Sequence, residues 1–202
     1  HLFRMVDDTG IYQHAKYDLP NPTEGYTTDD NARLMMMAAM YYESTGLSEY
    51  LNMCYRALGF LQYAYKDGWF RNFMGFDRRF LEDAGSPDCF GRCIWCLGYI
   101  TSRPVLPGGL RRAADALLSL AAPSAKKLQF PRSCAYAAMG FSLWKAPGHT
   151  DLLAASWNGG QTIKTQSSKV NWIGLKRKFQ NAKPTRPQPL LSGMWFWGVV
   201  KW

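Results

Sequence analysis

With 202 residues, 47% of them apolar and 15% aromatic, the chain can bury a core of its own and is not disordered by composition. Its formal net charge is +9, but the charge is uneven: residues 1–151 hold 16 Lys/Arg against 15 Asp/Glu, while residues 152–202 hold 8 and no acid. A basic, groove-binding body is therefore disfavoured, and no run of 18 apolar residues offers a membrane span.

The chain starts at His1 rather than Met, which predicts a fragment or a processed product, and no stretch reads as a signal peptide. Residues 1–26 read as irregular, punctuated by Asp7-Asp8-Thr9-Gly10 and Pro20-Asn21-Pro22. A first helix is predicted from about Asp29 to Glu43. Its stretch from Leu34 to Tyr42 is apolar all round, which predicts cover on every side, and Gly46 stops it. A second helix is predicted from Ser48 to Lys66, with Tyr50, Leu51, Cys54, Ala57, Leu58, Leu61 and Ala64 on one face. A long loop, Asp67–Pro87, follows.

The same pairing then recurs. Cys89–Tyr99 is apolar and helical, and a Pro/Gly turn leads to Leu110–Ala121. Pro131–Trp144 leads through Pro147-Gly148 to a short segment, Asp151–Ser156. Three hairpins, each with a buried first helix and an amphipathic second one, predict an all-α fold in which neighbouring hairpins cover one another. An inner and an outer layer suggest an α/α toroid or solenoid. From about Trp157 the periodicity fails. The expected division is a helical domain over 1–156 and a basic, irregular tail over 157–202.

The richest stretch is Gly25-Tyr26-Thr27-Thr28-Asp29-Asp30-Asn31-Ala32-Arg33. A helix start needs one or two capping groups, and this one carries two carboxylates, two hydroxyls, an amide and an arginine. Tyr12, His14 and Tyr26 lie close by in sequence. Later inner helices open on Asp88-Cys89-Phe90-Gly91-Arg92 and on Pro131-Arg132. If the inner helices are parallel, these starts collect on one rim, where helix dipoles, carboxylates and arginines can bind a polyol. Structure alone, capping plus dipole complementarity, explains the pair Asp29-Asp30 about as well.

For the other candidates the structural reading outweighs the functional one. Asp77, Glu82 and Asp83 share the long loop with Trp69, Phe70, Phe73, Phe76 and Phe80. Aromatic faces there can stack on sugar rings or anchor the loop to the body. His14 is a possible base, since histidine titrates near neutrality, and a lone histidine is more often a surface residue. Cys89-x-x-x-Cys93-x-x-Cys96 has the spacing of an iron–sulfur triad. It sits inside an apolar helix rather than on a loop after a strand, so the reading here is of core positions. The five cysteines are taken as reduced and the compartment as cytoplasmic. No metal and no cofactor are expected. Lys176-Arg177-Lys178 reads as a solvated segment of the tail.

Asp7–Ala15, Gly25–Arg33, Phe70-Arg71-Asn72-Phe73-Met74, Asp77-Arg78-Arg79-Phe80, Gly85–Arg92 and Pro131-Arg132 together resemble a bacterial family of glycosidase-like α/α-toroid proteins, over about residues 3–155. Some members of that family resemble, or are fused to, glycosyltransferases. The resemblance implies a six-hairpin toroid of which this chain is the first half, and carbohydrate chemistry. On it, Asp29, Asp30 and Asp88 take the carboxylate roles, and Tyr26, Asn31, Arg33, His14, Asn72, Asp77 and Arg92 contact the substrate. The expected activity is glycoside hydrolysis, with a carbohydrate partner and no nucleic acid or membrane. The rival is a non-catalytic carbohydrate-binding or scaffold domain attached to a glycosyltransferase domain. Two departures stand out. Phe90 occupies a position where a polar residue, often His, is expected. The tail only echoes the family at Asn171-Trp172 and Gln180–Lys183, as a slip of reading frame would produce.

Overall fold

Seven α-helices in the described residues carry nearly all of the regular structure, one short N-terminal helix followed by three consecutive hairpins. The computed structural model describes residues 2–146 and 148–161. The elements are α1 (Leu2–Met5), β1 (Ala15–Lys16), β2 (Leu19–Pro20), β3 (Tyr26–Thr27), α2 (Thr28–Thr45), α3 (Ser48–Ala64), β4 (Tyr65–Lys66), β5 (Trp69–Phe70), β6 (Phe73–Met74), α4 (Pro87–Thr101), α5 (Gly108–Ala121), α6 (Pro131–Leu143) and α7 (His149–Gln161). The strands form only two-stranded pairs, so the fold is all-α with small sheets. The chain divides into residues 1–165 and 166–202, and every described residue lies in the first unit. The tail expected from residue 157 lies outside the described residues from 162 onward. Before that point, α7 runs through Gln161 instead of ending near Ser156.

Helices α2, α4 and α6 form an inner row, and α3, α5 and α7 pack against them as their hairpin partners. The inner helices are parallel, and backbone contacts prove it. A Cβ on Gly91 would meet the Ser133 carbonyl at 2.6 Å, and one on Gly98 would meet the Gly140 carbonyl at 2.2 Å. Seven residues along α4 thus match seven residues along α6 in the same direction. The absent Cβ atoms allow the two backbones to touch. Between α2 and α4 the same direction holds: Asp29 meets Arg92 in the first turns, and Cys96 lies beside the Met36 backbone further on.

The core is continuous through these rows, from Met35, Ala38 and Ala39 on α2 to Ile94, Leu97 and Ile100 on α4 and Ala137 and Phe141 on α6. Two expectations shift. Met40 and Tyr41 are exposed, so α2 loses its cover near its end. The second helix stops at Ala64 rather than Lys66. Tyr65 and Lys66 pair with Phe70 and Trp69 across a turn at Asp67 and Gly68, both at positive φ. Positive φ at both central residues suits a tight hairpin, and Asp-Gly supplies it.

Cysteines 54, 89, 93, 96 and 134 are buried and free. Burial pushes the thiols of Cys93 and Cys96 well up, as expected of packed core thiols. Phe90 is fully buried, with the Trp69 and Phe70 rings 4.1 and 5.7 Å away between centres. It serves the core at a position where a polar residue was expected. No described helix is long and apolar enough to cross a membrane.

Candidate functional site

The first turn of α2 is capped twice. Thr27 Oγ1 accepts from the Asp30 amide at 3.1 Å and donates to Asp30 Oδ2 at 2.6 Å. This reciprocal pair satisfies an orphan donor of the helix start. The second cap comes from the loop. Pairing of β3 with β6, in the register Tyr26↔Met74 and Thr27↔Phe73, brings Asn72 beside the helix start. The Asn72 carbonyl accepts from the Thr28 amide at 2.9 Å, and Asn72 Oδ1 accepts from the Asp29 amide at 3.1 Å. Glu82 Oε1 in turn accepts from the Asn72 and Phe73 amides, at 2.7 and 3.2 Å. Asn72 and Asp30 are thus both engaged in holding the helix start.

Tyr26 and Asn31 face inward. Tyr26 is 1% exposed, and its hydroxyl donates to Asp7 Oδ2 at 2.6 Å. Asn31 is fully buried; its Nδ2 donates to the Thr27 carbonyl at 2.9 Å, and its Oδ1 accepts from the Ile11 amide at 3.1 Å. Gly10 lets that contact form, because a Cβ there would stand 2.3 Å from Asn31 Oδ1. These two residues bind the N-terminal segment to α2 rather than line a surface.

The remaining charged residues converge on the rim. Arg33 donates to Asp29 Oδ2 at 2.5 Å and to Asp30 Oδ1 at 2.9 Å, spanning both carboxylates. Arg92, on the first turns of α4, places Nε 2.9 Å from Asp29 Oδ1. That ion pair lacks the alignment of a hydrogen bond, and neither atom has a hydrogen-bond partner among the described residues. Asp88, at the start of α4, pairs with Arg132 at the start of α6. The row therefore runs Arg33, Asp29, Arg92 across two helices, with Asp88 and Arg132 joining the third.

No protein-family model and no curated protein matches this chain.

The chemistry of the rim therefore rests on its own electrostatics. Burial pushes the Asp29 carboxyl above its ordinary value of 3.8, against the pull of Arg33 and Arg92 and with Asp30 and Asp88 adding repulsion. Desolvation penalises the charged form, and here two guanidiniums do not cancel it. The Asp29 side chain remains about one-fifth exposed, although its Oδ1 is buried. A half-buried carboxyl with a raised pKa is suited to proton donation, and the arginines beside it are suited to binding hydroxyl or acidic groups.

Other expected site residues stand elsewhere. His14 is exposed, and its side chain makes no hydrogen bond or ion pair among the described residues, although its carbonyl accepts from Asn21 at 2.9 Å. Asp77 is exposed and accepts from the Arg79 amide at 3.2 Å, closing its own turn. The loop aromatics divide: Phe70 is buried and Trp69 half-buried against Phe90, while Phe73 and Phe76 remain exposed. Among the described residues no group of three His, Cys, Asp or Glu is placed to hold a metal ion. Tyr136 on α6, which sequence reasoning did not single out, lies under the Arg92 guanidinium at 4.8 Å.

Proposed function

We propose that this chain is a carbohydrate-active protein whose ligand site is the rim of the α2, α4 and α6 first turns, with glycoside hydrolase-like chemistry at Asp29. The three hairpins are read as an arc of an α/α toroid. The observation that carries the reading is the gathering of three parallel helix starts on one rim, where Asp29 is a half-buried carboxyl with a raised pKa, paired with Arg92, and Asp88 is paired with Arg132. Glycoside hydrolysis needs a carboxylic acid to protonate the leaving oxygen and a second carboxylate for the water or the sugar carbon. Asp29 takes the acid role. Asp88, one helix along, supplies the second carboxylate once a ligand competes with Arg132. Arg33 and Arg92 bind sugar hydroxyls and orient Asp29. Asp30 serves the helix cap.

A second reading has its own support. Asp88 is ion-paired with Arg132 and Asp30 is tied to Thr27 and Arg33, so both carboxylates beside Asp29 on the rim are already engaged. That pattern favours a non-catalytic carbohydrate-binding domain, of the kind associated with a glycosyltransferase. A panel of β-linked oligosaccharides separates the two. Turnover by the full chain that vanishes in Asp29→Asn, with binding retained, supports the hydrolase. Binding without turnover supports the module. Neither binding nor turnover contradicts both.

A further inference from the structure

Arg92 is held on two sides. Its Nε lies 2.9 Å from Asp29 Oδ1, and its guanidinium carbon lies 4.8 Å from the centre of the Tyr136 ring. Tyr136 is 5% exposed and stacks on Trp95, with ring centres 5.7 Å apart and planes 9° from parallel. Arg92 and Trp95 both belong to α4, so one helix grips the α6 ring at two successive positions. The approach of α6 depends on Gly91: a Cβ there would stand 2.6 Å from the Ser133 carbonyl and 3.1 Å from Tyr136 Cβ. A larger residue at 91 would push the ring away from Arg92.

A guanidinium over an aromatic face is attracted by the ring quadrupole, most strongly where water is excluded. The contact acts through the ring face and does not consume the N–H groups of the cation. We propose that Tyr136 is a positioning residue of the rim, its ring, steadied by Trp95, holding the Arg92 guanidinium against the Asp29 carboxyl. The inference rests on the reading of Asp29 as the acting carboxyl, while the ring–cation–carboxyl contact can be tested without any sugar. The groups that face Asp29 are Arg33 and Asp30 from α2, Arg92, Asp88 and Cys93 from α4, and Arg132 and Tyr136 from α6. Of these, Arg92 is the one the ring touches, and its charge opposes the upward push of burial on Asp29.

The test is a carboxyl-carbon NMR titration of Asp29 in the full chain, with folding checked by amide spectra. Arg92→Gln raises the midpoint by about 1 pKa unit, the effect of removing a close opposite charge. Tyr136→Leu raises it by roughly half as much, and Tyr136→Phe, which keeps the ring, leaves it near wild type. A folded Tyr136→Leu protein with the wild-type midpoint overturns the proposal. So does a Tyr136→Phe shift as large as that of Tyr136→Leu, which would assign the effect to the hydroxyl. If Tyr136→Leu does not fold, Trp95→Leu takes its place: a raised midpoint supports the proposal and an unchanged one overturns it. Failure of the carbohydrate reading looks different. Binding and turnover would then be absent while the NMR shifts stay as described.

Discussion

Two aspartates about twenty residues apart sit in half-buried surroundings and are pushed in opposite directions. Asp7, in the N-terminal segment, feels burial that would raise its pKa. The Tyr26 hydroxyl, the Gly10 and Thr9 amides and the Tyr12 hydroxyl outweigh that and hold the carboxyl below 3.8. Asp29, at the start of α2, has two arginines beside it and still titrates above 3.8, because burial wins. Neutral donors aimed at the lone pairs hold the Asp7 charge: the amides at 2.8 and 3.0 Å and the hydroxyl at 2.6 Å. At Asp29 one of the two ion pairs is close but misaligned. Depth of burial set against the alignment of donors, more than the count of nearby charges, separates a carboxylate that builds the fold from a carboxyl left ready to exchange a proton.

The contrast can be broken at several points. The largest effect is expected from Asp7→Ala, which strips the acceptor from two amides and from the buried Tyr26 hydroxyl. It should cost about 3 kcal/mol in urea denaturation at neutral pH, and a cost near zero would remove Asp7 from the structural side. Asn31→Ala should cost about 2 kcal/mol, because the Ile11 amide and the Thr27 carbonyl lose their partner inside the core. Amide hydrogen exchange at Ile11 should rise in the same variant, and unchanged protection would sink the assignment. Tyr26→Phe should cost about 1 kcal/mol while leaving the Asp29 titration alone.

The smallest effects are in the pH dependence, and their signs differ. Asp7 has a lowered folded pKa, so its contribution is present above 3.8 and is lost as pH falls through the folded value. Asp29 has a raised folded pKa, so its contribution is full below 3.8 and is lost as pH rises through the folded value. Between 3.8 and that folded value, Asp29→Asn should therefore gain stability relative to wild type as pH rises. Denaturation series at several pH values check the slope, and a slope of the Asp7 sign would show that the arginines win at Asp29 after all.

The difference between these regions also explains what could be read from sequence. Helix starts and stops were legible where the signal is local: the polar cluster around Asp29 opening α2, Gly46 after it, and Pro131 opening α6. The gathering of charged starts was legible because it recurs at Asp29, Asp88 and Arg132, and parallel inner helices bring the starts together. Partners distant in sequence were hidden. Nothing near Asn31 announces that its oxygen serves Ile11, and nothing near Asn72 announces that it caps α2 across the β3–β6 pair. The end of α3 was misplaced because Tyr65 and Lys66 answer to strand partners rather than to helical periodicity. Tyr136 gave a faint signal, one helical turn beyond Arg132, but its role depends on Gly91 admitting the ring.

The central claim is that the rim, and not the N-terminal segment around Asp7, meets a carbohydrate. The most direct measurement is an NMR titration of the full chain with β-linked oligosaccharides, following the carboxyl carbons of Asp29 and Asp7 and the guanidinium signals of Arg92 and Arg132 together. The account predicts saturable shifts at Asp29, Arg92 and Arg132, and none at Asp7. Shifts confined to the surroundings of Asp7, or no shift with any sugar of the panel, would contradict it.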